Sequence, residues 1–168
     1  MISLTTSTGT QIPVWALLGR GKSCTVSKVF LDTNILIYTI DKKDLDKQDQ
    51  ARKLVKRISS DHIAVISTQV LQEFYNAVTT KLKIDKLVTK NILHSYRNME
   101  IVAADLVLIE QAVDISLLFQ LSFWDSLIVA AAEQANCSFL VTEDLNDGQK
   151  IRGINVVNPF QNRDFVIA

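Results

Sequence analysis

Cysteine and histidine are scarce in this chain, with two of each in 168 residues. Cys24 and Cys137 share no spacing with each other or with His62 and His94 that would make a disulfide framework or a zinc site. A reduced, cytoplasmic setting is therefore expected. Five glycines and two prolines among 48% hydrophobic residues exclude collagen-like and disordered classes. Long apolar runs are also missing. The stretch 127–132 falls far short of the ~20 residues that span a bilayer, so no membrane partner is expected. Finally there is no net charge, since 18 basic residues balance 18 acidic ones. At first sight that argues against a nucleic-acid partner, which calls for a basic footprint.

The balance hides a division. Residues 1–40 carry three bases and one acid, and residues 41–99 carry twelve bases and seven acids. From Glu100 to Gly148 there are nine acids and no Lys or Arg. Most of these charges are accounted for by solvated helix faces, so the informative acids are those that water does not explain.

The length suits one domain with a sizeable core. Short strand signals at 29–31, 63–66, 100–103, 138–141 and 154–157 alternate with helical periodicity. The helical stretches are 46–60, 70–82, 86–97, 106–119 and 124–135. Such alternation predicts an α/β fold with a mostly parallel central sheet covered on both faces. In that architecture a ligand site lies beyond the carboxyl ends of the strands, where the strand order switches.

Four acids answer to that edge. Asp32 ends the first strand, and its ordinary role would be to cap the helix beginning near Thr33. Glu73 lies on the edge of an apolar helix face beside Val70, Phe74 and Ala77, with no Lys or Arg three or four positions away. An acid so placed costs free energy unless paired or coordinated. Asp125 shares a face with Ile128, Val129 and Ala132, although Ser122 and Asp125 also fit a capping box. Asp144 follows the strand ending at Val141; Glu143 is a weaker candidate, and Asp147 is explained by turn chemistry. Carboxylates gathered without a cation repel one another unless a hard ion such as Mg²⁺ or Mn²⁺ neutralises them.

Residues 1–27 read differently, as an N-terminal extension of unknown role, with the domain expected over 28–168. Within the extension, Ala16-Leu-Leu-Gly-Arg-Gly-Lys22-Ser23 imitates a phosphate-binding loop. A strand-like stretch follows it where such a loop requires a helix.

Five stretches taken together carry a resemblance: Val29-Phe-Leu-Asp-Thr-Asn34, Val70-Leu-Gln-Glu-Phe-Tyr75, Ser122-Phe-Trp-Asp-Ser-Leu-Ile-Val-Ala-Ala131, Leu140-Val-Thr-Glu-Asp-Leu145 and Val156-Val-Asn-Pro-Phe160. In this order they resemble PIN domains, most closely the VapC-like toxins of toxin–antitoxin pairs. The resemblance implies a three-layer α/β/α fold and a metal-dependent endoribonuclease. It also implies a homodimer and a small antitoxin that blocks the site. Carried over position by position, it places the acidic set on Asp32, Glu73, Asp125 and Asp144. Asp32, Asp125 and Asp144 would hold Mg²⁺ (Mn²⁺ as an alternative), Glu73 would help position metal or water, and Asp147 is an alternative to Asp144 for the fourth ligand. Thr33, Asn34 and Thr142 match polar positions that orient ligands or water.

RNA phosphates would then need cations elsewhere, and Lys42, Lys43, Lys81, Lys83, Lys86, Lys90 and Arg97 are the candidates. Two rival readings keep the fold: a catalytically silent binding or scaffold protein, and a DNA-directed nuclease. A phosphatase with an aspartyl nucleophile is disfavoured, because Asn34 stands where a second Asp would be wanted.

Overall fold

The computed structural model describes residues 26–161. The phosphate-loop look-alike, Cys24 and almost all of the expected extension lie outside the described residues. Six strands, β1 (Lys28–Leu31), β2 (Ile63–Ser67), β3 (Glu100–Val102), β4 (Phe139–Val141), β5 (Lys150–Ile151) and β6 (Ile154–Val157), form one sheet. Its order is β3-β2-β1-β4-β6-β5, parallel throughout except for β5, which runs antiparallel to β6.

The helices are α1 (Thr33–Tyr38), α2 (Leu45–Asp61), α3 (Thr68–Thr80), α4 (Lys86–Ser95), α5 (Leu106–Phe119) and α6 (Phe123–Gln134). They cover both faces of the sheet, giving a three-layer α/β/α domain. Val29, Phe30 and Leu31 point alternately to the two faces of β1 and are all fully buried, which requires cover on both sides. In α6, residues 126–132 are all buried, so the middle of this alanine-rich helix is part of the core and only its two ends meet water. Among the described residues, no single helix is long and apolar enough to cross a membrane.

Short polar side chains start these helices. Asp44, Asp85 and Asp105 cap α2, α4 and α5 by accepting backbone N–H groups, and Ser67 and Ser122 do the same for α3 and α6. Capping thus accounts for three acids of the chain and removes them from the set needing a chemical explanation.

Two boundaries differ from the periodicity. The helix expected over 86–97 ends at Ser95, because its last turn tightens into a 3₁₀ turn over Tyr96–Asn98. Strand β5 escaped the reading altogether. It is two residues long and joins β6 through Arg152–Gly153, both at positive φ (51° and 88°). That is the backbone of a tight hairpin turn, but arginine is not a residue that announces one.

The order of strands positions the site. The chain moves from β1 outward to β2 and β3, then returns to the other side of β1 for β4. The switch therefore lies between β1 and β4, where Leu31 pairs with Val141. Asp32 and Thr142 are the next residues on each strand, and the Asp32 amide donates to the Val141 carbonyl at 3.1 Å.

Candidate active site

All four predicted acids line one cleft of about 390 Å³ at this switch. Strand β1 supplies Asp32, α3 supplies Glu73, the first turn of α6 supplies Asp125, and the loop after β4 supplies Asp144. Thr33, Asn34, Gln69, Asn76, Trp124 and Lys81 complete much of the wall. Lys81 is the sole cation among the described residues that line it.

Asp32 is the deepest of the four, with 4% of its surface exposed. One carboxylate oxygen accepts the Thr33 amide at 2.5 Å, so the capping role expected for it is present. The other accepts the Thr142 hydroxyl at 2.6 Å and the Asn34 amide at 2.9 Å. Burial pushes the Asp32 carboxyl up to about 7, against the opposing pull of the Thr142 and Thr33 hydrogen bonds; the charges of Asp144 and Glu73 raise it further. Near neutral pH this group is held between its two protonation states. A cation in the cleft would take the proton's place.

Asn34 and Thr142 tie the two sides of the switch together. The Asn34 amide nitrogen donates to Asp144 at 2.9 Å as well as to Asp32, and the Thr142 hydroxyl accepts the Asp144 backbone N–H at 3.1 Å. Thr33 extends the linkage, since its hydroxyl donates to Glu73 at 2.8 Å. The Gln69 amide fixes the other Glu73 oxygen at 2.8 Å and also reaches the Trp124 carbonyl at 3.3 Å. Among the described residues, no ion pair holds Glu73.

Asp125 makes part of the expected capping box. Its amide donates to the Ser122 hydroxyl at 3.1 Å, while that hydroxyl donates to one carboxylate oxygen at 2.6 Å. The other oxygen is left for the cleft. Asp147 does not line the cleft, because its carboxylate accepts the Asn158 amide at 2.8 Å and pins the end of β6. Glu143 faces elsewhere too, paired with Lys47 at 2.6 Å and bonded to Tyr38.

Gln69, Asn76 and Trp124 were not singled out by the sequence reading. Gln69 could have been found, because it precedes Glu73 by one helical turn and so shares its face. Trp124 carried no such signal beyond its place next to Asp125.

The donors fit a hard divalent cation in kind. They are all oxygens, with four carboxylates against one ammonium. Two amide oxygens, Asn34 Oδ1 and Gln69 Oε1, are also buried without a hydrogen-bond partner among the described residues. Both amides must turn their NH₂ groups toward the carboxylates, which can only accept, and this leaves the carbonyl oxygens unused. Among the described residues, no three His, Cys, Asp or Glu side chains are already drawn together around one point. The Asn34 amide occupies the place between Asp32 and Asp144. Cys137 is buried, and burial pushes its thiol up to about 12, so it offers neither thiolate nor nucleophile.

A parallel sheet with helices on both faces and an acid-lined cleft at its switch point defines a class: an α/β/α domain with carboxylates gathered at the carboxyl edge of its sheet. The PIN domain family model matches residues 29–150, and the chain belongs to that family, whose enzymes are nucleases. Similar solved structures include the VapBC2 complex of Rickettsia felis bound to a promoter DNA fragment. It is 20% identical, covers 77% of this chain and 96% of its own, and has a TM-score of 0.58. A toxin–antitoxin complex from Klebsiella pneumoniae is 21% identical over 78% and 97% of the two chains, with a TM-score of 0.59. VapC20 of Mycobacterium tuberculosis, a toxin that cleaves the sarcin–ricin loop, is 18% identical over 67% and 86%, with a TM-score of 0.53. At these identities the likeness speaks for the fold. No curated protein matches the chain in sequence.

Proposed function

We propose that the chain is a metal-dependent endoribonuclease and the toxin of a toxin–antitoxin pair. One observation carries this reading. Asp32, Glu73, Asp125 and Asp144 line a single cleft at the switch point of a PIN-family sheet, with Lys81 the one described cation among them. Asp32, Asp125 and Asp144 would hold Mg²⁺ or Mn²⁺. When bound, such an ion supplies an acidified water and charge neutralisation at a phosphodiester.

The chain's own residues supply the rest. Thr142, Asn34 and the Thr33 amide lock Asp32 in one orientation. Glu73, held at both oxygens by Thr33 and Gln69, orients water at the inner wall. Asp125 presents its free oxygen from a helix start that its own cap keeps rigid. Depth and apolar backing keep bulk water from the buried side of Asp32.

The toxin–antitoxin neighbours support an antitoxin as partner. An exposed apolar stripe on α5, formed by Leu106, Ile109, Val113 and Leu117, supports a homodimer. We place the nuclease domain over 28–168, with 1–27 as an extension, and the protein in the cytoplasm. A second reading, a silent PIN-like binding protein, draws on the amide that already bridges Asp32 and Asp144.

Cleavage of structured RNAs and matched DNAs with Mg²⁺, with EDTA and with Asp125→Asn separates these readings. RNA should be cut with Mg²⁺ alone, and both EDTA and the substitution should stop it. Activity that survives both would remove the metal site from the mechanism, and absence of any cleavage favours the silent protein. Preference for DNA redirects the same site.

A further inference from the structure

Lys81, the C-cap of α3, lines two cavities at once. One is the acidic cleft. The other is a neighbouring groove of about 450 Å³ in which Lys81 meets Lys42 and Lys43 over an apolar floor of Ile40, Leu82 and Ile84. Among the described residues, none of these three ammonium groups has a carboxylate partner, whereas Lys28, Lys47, Lys53 and Arg152 are all paired. Asp41 also lines the groove, with one carboxylate oxygen held by the Lys43 backbone N–H at 3.0 Å, so the lining sets three cations against one acid. Three unpaired cations over an aliphatic floor suit the phosphates and sugars of a polyanion. Trp124 stands among the cleft-lining residues beside Asp125, with 60% of its surface exposed. Water gains nothing from an indole left in that position, but an unpaired base does.

We propose that the cleft and the groove form one track for a single-stranded stretch of RNA. A base flanking the cleaved bond stacks on Trp124, and the phosphates beyond the acids pass Lys81 to reach Lys42 and Lys43. This narrows seven candidate cations to three, since Lys83, Lys86, Lys90 and Arg97 line neither cavity. A duplex keeps its bases stacked on each other and cannot offer one to Trp124. The inference rests on the nuclease reading for its direction, but its test does not require cleavage.

The test is fluorescence anisotropy of the full chain with a labelled 12-nucleotide oligouridylate, free or annealed to oligoadenylate, in EDTA. Wild type should bind the single strand at least about tenfold more tightly than the duplex. The double variant Lys42→Glu/Lys43→Glu should weaken binding about tenfold. It should also make the slope of log affinity against log salt shallower by about 1.4, at roughly 0.7 per lost single-strand phosphate contact. Trp124→Ala should weaken binding about tenfold and leave that slope unchanged, and Trp124→Phe should restore most of the loss. Lys90→Glu, an equally exposed charge reversal outside both cavities, should change affinity less than about twofold. All four positions fall on exposed or cleft-lining surface, and unchanged circular dichroism and melting confirm that the variants fold. The track is overturned if Lys42→Glu/Lys43→Glu acts no more strongly than Lys90→Glu. Equal binding of duplex and single strand, or tighter binding of a glutamate-rich peptide than of RNA, also overturns it. Mg²⁺-dependent cleavage that Asp125→Asn abolishes would keep the nuclease reading standing even then.

Discussion

Glu143 and Asp144 are neighbours in sequence and opposites in treatment. Glu143 is half-buried and receives Lys47 at 2.6 Å together with the Tyr38 hydroxyl. The same ammonium lies 4.1 Å from the centre of the Tyr38 ring and 4.6 Å from that of Phe160, and the two rings meet edge-on. Asp144, one residue on, receives an uncharged amide. Asp32, though buried, also receives none but uncharged donors. The fold therefore has lysines within reach of this loop and commits one to the acid that faces away from the cleft. Among the described residues, the acids inside the cleft have no cation paired with them. That difference separates a structural ion pair from a ligand site more clearly than either acid does alone.

The largest effect should come from within the cleft. Asp32→Asn removes a donor that Asn34 and Thr142 already orient, and cleavage in a Mg²⁺ assay should fall by about a hundredfold or more. Glu143→Gln, a matched change one residue from Asp144, should leave cleavage within about threefold. Equal losses in the two variants would erase the distinction.

Stability against pH comes next in size. Below about pH 4 the Asp32 carboxyl is protonated in both folded and unfolded chains and contributes nothing. Between its ordinary 3.8 and the folded value near 7, the folded chain holds a proton that the unfolded chain releases. Each pH unit upward through that window then removes about 1.4 kcal/mol, on the order of 4 kcal/mol in all. Denaturant unfolding from pH 4 to 8 should show this decline in wild type and a flatter profile in Asp32→Asn. Mn²⁺ should raise the melting temperature more at pH 8 than at pH 5, because it binds the ionised form.

Lys47→Met tests the other side of the comparison. It leaves Glu143 partly buried without its cation, which should cost about 1–2 kcal/mol. Melting should fall by several degrees, at about 2–4 °C per kcal/mol for a chain of this size. Divalent-ion affinity should change little. The smallest effect is expected from Asp147→Ala, which removes one accepted N–H bond from Asn158 and should lower stability by about 0.5–1.5 kcal/mol without altering ion binding.

Much of this arrangement was legible in the sequence. Strands ending at Leu31 and Val141 and helices capped by Ser67 and Ser122 follow from apolar runs and capping residues. Once those ends are placed, Asp32, Glu73, Asp125 and Asp144 fall at one edge of a parallel sheet. Their roles are inferred from chemistry, but their convergence on one cleft is a consequence of strand order. What stayed hidden depends on distances between remote segments. The Lys47–Glu143 pair spans 96 positions and the Asn34–Asp144 bridge 110, so no local spacing announces either. Lys81 looked like one of seven equivalent cations until the end of α3 placed it between two cavities. The two-residue β5 is too short to show any period.

Mn²⁺ binding, measured by electron paramagnetic resonance at pH 8, tests the central claim most directly. The unpaired carboxylates of the cleft, and not the paired Glu143, should hold the ion. Wild type and Glu143→Gln should both show saturable binding, and Asp32→Asn should weaken it by about a hundredfold. If wild type shows no saturable site, or if Asp32→Asn binds Mn²⁺ as wild type does, the cleft is not the divalent-ion centre described above.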